Sequence, residues 1–204
     1  MLFSLGGTAL AAEYGGKNPI AYDRLNIQGN RFAIEYANER GHTCGAKGAM
    51  GKDGVWKGDD GCKISFRFKR DMVKVDADGC DNYCGEGVSF PTEYYKLPPA
   101  CTRKGVGAME NRFQTAWRAG KFKQAANIKQ NHLQQCGGFL NPTGILTAAN
   151  DAAHAYLKAG DRRACIQTLD SVQEHYETQL LNKDLIDRQN KQTERGRDLR
   201  KQCG

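Results

Sequence analysis

Eight cysteines, Cys44, Cys62, Cys80, Cys84, Cys101, Cys136, Cys165 and Cys203, are the residues of this 204-residue chain best equipped to do chemistry. A thiol can serve as nucleophile, metal ligand or half of a disulfide, and each use needs different company. A nucleophile needs a thiolate beside a base. The four histidines, His42, His132, His154 and His175, are scattered along the chain; two or three fall on polar helix faces, and His154 is expected to pack between helices. Zinc could take Cys80, Cys84, His42 and Cys44, but the three-residue spacer between Cys80 and Cys84 is not the two-residue spacer that structural zinc sites favour. An even number of thiols in an oxidising compartment points instead to disulfides.

Other chemistries fare less well. Asp76, Asp78 and Asp81, with Glu86 beyond them, are spaced like a calcium loop, yet Cys80 occupies the third ligand position and Glu86 closes the run at the wrong place. A solvated hairpin turn explains those acids better. The chain has no Gly-x-Ser-x-Gly elbow, no phosphate loop and no paired-carboxylate motif in a trusted context. The expectation is therefore no catalytic residue, no cofactor and no metal, with all eight cysteines acting as covalent ties.

The compartment is read from the first residues. Leu2 to Ala11 are largely apolar, Ala9-Leu10-Ala11 has the small-x-small form of a signal-peptidase site, and no Lys or Arg precedes Lys17. Residues 1–12 are read as the remnant of a signal peptide and left out of the fold, an ordinary N-terminus being the alternative. Export to the periplasm or outside the cell fits the cysteine count. No later segment approaches the roughly 18 apolar residues a membrane span needs.

The elements that must carry the cysteines change character at Pro98-Pro99, where two fixed φ angles and two missing donors make a joint. Before it, Phe32, Ile34 and Tyr36 alternate with Ala33 and Glu35, and Ile64, Phe66 and Phe68 with Ser65 and Arg67, the period of half-buried strands. Met72 to Val75 and Val88 to Phe90 add two strands, with glycines at the turns. After the joint the period becomes helical. Ala116-Trp117-Arg118-Ala119-Gly120-Lys121 and Tyr156-Leu157-Lys158-Ala159-Gly160-Asp161 read as two helix ends at glycine, with helices restarting over 122–135 and 162–179 and a last one over 182–202. The fold class is α+β: a small antiparallel β meander or barrel-like domain over 20–98, then a helical hairpin-repeat domain over 104–204. Residues 106–179 resemble tetratricopeptide-type helix pairs, with a period of forty and few of that family's aromatic and proline positions. The resemblance implies stacked hairpins.

Up-down helix order places Cys101 and Cys136 at one end of such a stack and Cys165 and Cys203 at the other, so Cys101–Cys136 and Cys165–Cys203 are the expected bridges. Cys44, Cys62, Cys80 and Cys84 are left to pair among themselves, with Cys44–Cys62 and Cys80–Cys84 the first choice. Each long loop closed contributes about 3 to 4 kcal/mol in the chain-entropy model.

Charge separates the halves. Residues 1–103 hold 14 Lys and Arg against 13 Asp and Glu, residues 104–204 hold 16 against 10, so +6 of the net +7 belongs to the helices. Arg188, Lys191, Arg195, Arg197, Arg200 and Lys201 crowd the last helix; Arg112, Arg118, Lys121, Lys123 and Lys129 crowd the first pair. Such a surface attracts acidic proteins or anionic envelope polymers, or is a solvated face; aromatic residues are too sparse there to favour nucleic acid.

The β half carries a second resemblance. Thr43-Cys44, Gly48, Gly54, Cys62-Lys63-Ile64-Ser65-Phe66, Val73-Lys74-Val75, Cys80, Cys84-Gly85, Phe90 and Tyr94-Tyr95 follow an order similar to the small disulfide-tied β-domains of Gram-negative envelope proteins, lysozyme-inhibitor types among them. That resemblance implies binding without chemistry, a rigid loop entering the cleft of a wall-degrading enzyme. The net charge departs from the acidic character of inhibitors of basic lysozymes and suggests an acidic or neutral target, as for an immunity protein against a delivered effector toxin. Trp56, Lys57, Asp59, Asp60 and Tyr83 are the candidate contacts, with core packing the alternative for Trp56; Arg195 and Arg197 are the candidates in the helical half. Three functions are carried forward: an inhibitor or immunity protein acting by stoichiometric binding to a hydrolase or toxin, an envelope scaffold binding anionic glycan or lipid, and a hydrolase of unknown type.

Overall fold

A computed structural model of the chain describes residues 11–177 and 180–204, so all but the last two residues of the segment 1–12, read above as a signal-peptide remnant, lie outside the described residues. Eight strands come first: β1 (Ala12–Gly15), β2 (Tyr22–Gln28), β3 (Arg31–Ala37), β4 (Thr43–Ala49), β5 (Val55–Lys57), β6 (Lys63–Phe68), β7 (Met72–Asp78) and β8 (Glu93–Lys96). Five helices follow: α1 (Arg103–Arg118), α2 (Phe122–Cys136), α3 (Pro142–Lys158), α4 (Arg162–Asp170) and α5 (Lys183–Cys203). The α+β class and the order of β part then helical part are as the residue pattern implies.

The strands form one sheet in the order β4-β3-β2-β1-β8-β7-β6-β5. β4 and β5 are successive in the chain, separated only by residues 50–54, yet they occupy opposite edges. A five-residue link spans at most about 18 Å, so the sheet has to curl nearly into a barrel. Inside, strand alternation buries Leu25 and Ile27, Phe32 and Ile34, Ile64 and Phe66, Val73 and Val75, with Tyr94 fully enclosed.

Several expectations need correction here. The strand content begins with β1 at Ala12, ahead of the boundary expected at 20 and within the segment set aside as leader; β1 pairs with both β2 and β8 and joins the two halves of the sheet. Val88–Phe90 is not a strand; β8 lies at Glu93–Lys96 instead, and Phe90 is buried from a loop. The disulfides of this part are Cys44–Cys84 and Cys62–Cys80, not Cys44–Cys62 and Cys80–Cys84. The cause is register: β6 and β7 pair antiparallel with Lys63 opposite Asp78, which brings Cys62 and Cys80, just beyond each end, together. Cys84 then falls opposite Cys44 of β4 in a lone bridge.

In the helical part the repeated phrase builds the same stop twice. Gly120 and Gly160 take φ of 69° and 76°. Lys121 N–H donates to the Ala116 carbonyl and Asp161 N–H to that of Tyr156, both at 2.9 Å, closing the last turn in each case. Thr102, Asn141, Asp161 and Asn182 cap α1, α3, α4 and α5 with their side-chain oxygens. Buried alanines, Ala116, Ala125, Ala126, Ala152, Ala153 and Ala155, let the helices approach closely. Cys101–Cys136 and Cys165–Cys203 form as expected from helix direction. The fourth helix is shorter than the spacing predicts, ending at Asp170 before a 3-10 turn at Gln173–Glu177. By backbone contacts the described residues divide into two compact units: residues 11–16, 23–36 and 43–96, and residues 17–22, 37–42, 97–177 and 180–204. The second unit thus takes in two short segments from before residue 97. Asn18 N–H donates to the Gly138 carbonyl, Asn141 Nδ2 to that of Ala21, and Leu181 and Asn182 N–H to that of Glu39.

Candidate functional sites

Each unit presents one candidate surface. In the β unit, the 57–62 loop and the 3-10 turn at Asp81–Tyr83 are pinned side by side. The Cys62–Cys80 and Cys44–Cys84 bonds bracket them. Gly58 N–H donates to the Cys62 carbonyl at 2.8 Å, and Asn82 Nδ2 to Asp60 Oδ2 at 2.8 Å. That donation holds the Asp60 carboxyl below the usual carboxylate range. Trp56 stands edge-on to Phe32 at 5.5 Å and to Tyr83 at 5.3 Å between ring centroids. Two glycines make room: a Cβ on Gly48 would lie 2.2 Å from Trp56 Nε1, and one on Gly58 2.5 Å from the Tyr83 hydroxyl.

The structure therefore gathers Trp56, Tyr83 and Asp60, with Lys57 exposed at the end of β5 and Asp59 exposed on the loop that follows it. Trp56 is part buried, packed against the β core on one edge. Exposed Asp59, Asp60 and Asp81 make this end locally acidic.

The helical unit holds a charge network crossing four helices. Lys129 of α2, with only 5% of its side chain exposed, reaches Glu110 of α1 at 2.6 Å and Asp151 of α3 at 2.9 Å. Asp151 uses its other oxygen for Arg195 Nη1 of α5 at 2.8 Å. Gln114 Nε2 donates to Glu110 Oε1 at 2.9 Å, and the Lys129 ammonium sits 4.5 Å from the centre of the Phe113 ring. Burial opposes ionisation of Glu110, but the donations from Gln114 and Lys129 outweigh it and hold the carboxyl low. Beside the network a cavity of about 180 Å³ is lined by Phe113, Gln114, Trp117, Asp151, His154 and Arg195. Trp117 and His154 face one another at 4.9 Å. Burial, then Arg195 and Lys158, push the His154 imidazole below its usual range against the pull of Asp151.

These side chains share faces for a simple reason. Phe113, Gln114 and Trp117 lie at i, i+1 and i+4 of α1, and Asp151 and His154 at i and i+3 of α3, so each helix turns one stripe to the cavity. Arg195 is at the cavity as a binding candidate; Arg197 is exposed and does not line it.

Lys129 is not part of an open basic surface as its place in the charge count suggests, but a buried, doubly paired cation. Arg200 is paired with Asp170 and Lys201 with Asp198, which trims the basic face further. His132 is buried rather than exposed, its imidazole lowered by burial and by Lys129. His154 does pack against a neighbouring helix. Asp151, Glu110, Phe113, Gln114 and Trp117 carry no motif; the signal available was the helical spacing of Asp151 and His154 opposite Trp117. All eight cysteines are bridged, and among the described residues no cluster of potential metal ligands occurs. No helix of the described residues is long and apolar enough to cross a membrane. Comparison of the chain with protein-family models, with curated proteins and with solved structures gives no match.

Proposed function

We propose that the protein is a non-catalytic binding protein of the periplasm or cell exterior, an inhibitor or immunity protein that captures a cell-wall-degrading enzyme or effector toxin through the pinned loop cluster of its β unit. The observation that carries this reading is pre-organisation. Two disulfides, the Asp60–Asn82 hydrogen bond and the Trp56–Tyr83 contact hold the 57–62 loop and the 81–83 turn before any partner arrives. A surface fixed in advance loses little conformational entropy on docking, commonly about 0.5–1.5 kcal/mol per side chain that need not be immobilised. The four disulfides also fit an oxidising compartment.

The net charge of +7 suggested an acidic or neutral target, but charge at the contact is what a partner meets. With Asp59, Asp60 and Asp81 exposed there, and the excess of Lys and Arg in the other unit, the cluster suits a basic partner. The test is titration of the purified protein into a panel of muramidases, amidases and glycosidases with an activity readout. The reading expects one target whose activity falls linearly to an equimolar endpoint, with Asp59→Arg and Tyr83→Ala each weakening inhibition at least about tenfold. Full activity across the panel at micromolar excess, or inhibition unmoved by both substitutions, would refute it.

A further inference from the structure

The cavity of the helical unit has more donors than acceptors. Both oxygens of Asp151 are taken, by Lys129 and Arg195, and both oxygens of Glu110, by Lys129 and Gln114. Arg195 by contrast commits one nitrogen to Asp151, while a guanidinium carries five N–H groups. The free donors lie at a cavity whose other wall is aromatic, Phe113 and Trp117. That composition fits a carboxylate on a short apolar stem, the stem against the rings and the oxygens on Arg195 and His154.

Charge balance adds a condition. Lys129 and Arg195 are balanced by Glu110 and Asp151, so an entering anion meets a network without net charge. The remaining titratable or charged groups facing His154 are Lys158 on its own helix, besides Asp151, and Arg195 from α5; α1 contributes only uncharged Phe113, Gln114 and Trp117 to the cavity. A proton on His154 is the compensating charge available inside the cavity.

We infer that the cavity between α1, α3 and α5 is a carboxylate-binding site, with Arg195 as the anchor and His154 taking up a proton as the anion enters. The site belongs to the helical unit and shares no residue with the loop cluster, and its fate does not depend on whether a hydrolase partner is found. The imidazole, lowered by burial and by Arg195 and Lys158, rises when an anion sits beside it.

The carboxylate could be free or carried by a peptide side chain, and the experiment separates the two. The His154 imidazole is followed by NMR through a pH titration in the full protein. One arm adds butyrate; the other adds a Gly/Ser peptide amide bearing one Glu. The expected result in either arm is an upward move of the His154 midpoint by about one pH unit, with affinity about fivefold higher at pH 5.5 than at pH 7.5. A response to butyrate assigns free carboxylates; a response to the peptide alone assigns a protein side chain. Arg195→Gln, which leaves Asp151 paired with Lys129, should weaken binding at least about tenfold, and His154→Gln should leave weaker binding that no longer varies with pH. If Arg195→Gln unfolds, the His154→Gln profile decides. No shift with either probe at about 50 mM, or pH-dependent binding that survives in His154→Gln, would overturn the assignment.

Discussion

Replacing Asp23 by Asn should stabilise the β unit at neutral pH. Asp23 is only 8% exposed, and burial pushes its carboxyl up to about 6 from 3.8, against the lowering influence of the Tyr94 hydroxyl and of Arg24. The Tyr94 hydroxyl faces the carboxyl without a well-aligned hydrogen bond, and Asp23 Oδ1 and Arg24 Nη1 are buried without partners. Between pH 3.8 and about 6 the folded protein keeps a proton that the unfolded chain has released. Stability is therefore complete at low pH, falls as pH rises through this window, and is level above it. A carboxyl displaced this far disfavours its charged form in the fold by about 2–3 kcal/mol. Asp23→Asn keeps an acceptor near Tyr94 and removes the charge, so it should gain about 2 kcal/mol at pH 7 and almost nothing at pH 4. The assay is urea unfolding followed by Trp56 fluorescence in a Trp117→Phe background, which isolates the β unit, repeated from pH 4 to pH 8. Were the variant equal to or weaker than its parent at pH 7, or its advantage unchanged with pH, Asp23 would not be the strained buried acid described.

Two further substitutions probe the candidate surfaces. Gly48→Ala places a methyl 2.2 Å from Trp56 Nε1; it should cost about 1–3 kcal/mol in urea unfolding and shift the Trp56 emission, whereas an unchanged spectrum would mean that Trp56 is not seated on Gly48. Lys129→Ala removes the buried cation shared by Glu110 and Asp151, leaving Asp151 on Arg195 and Glu110 on Gln114, and should cost about 2 kcal/mol, read by thermal melting; a loss below about 0.5 kcal/mol would show that the network is solvated rather than buried.

Which features could be read from residue order follows from the range of the interactions involved. The glycine stops at 120 and 160 and the helices around them are local events, encoded within a turn or two, and the helix directions they imply were enough to pair Cys101 with Cys136 and Cys165 with Cys203. β6 and most of β7 were legible by alternation. β1 and β8 were not, because both are four residues long and define themselves only by lying between β2 and β7. The β-unit disulfides failed for the same reason: Cys44 meets Cys84 only after the sheet has curled, and nothing near either cysteine says so. At the candidate sites, Asp60 and Tyr83 were legible as loop or turn residues near cysteines, whereas Trp56 and Lys57, read as exposed loop residues, belong to the short strand β5, with Trp56 part buried. Lys129 and Asp151 were not legible, since a charged residue on a helix reads as solvent-facing until its neighbours are known.

The nested order of the β-unit bonds bears on how the molecule matures. A chain entering an oxidising space from its N-terminus presents Cys44 and then Cys62, and joining these two first traps the wrong pair. Reaching the native arrangement requires Cys44 to stay reduced until Cys84 arrives or to be released by thiol exchange, so strongly oxidising conditions without free thiol favour the wrong pair. Because every bridge closes within one unit, the errors stay local: about nine pairings have to be sorted in place of about 105.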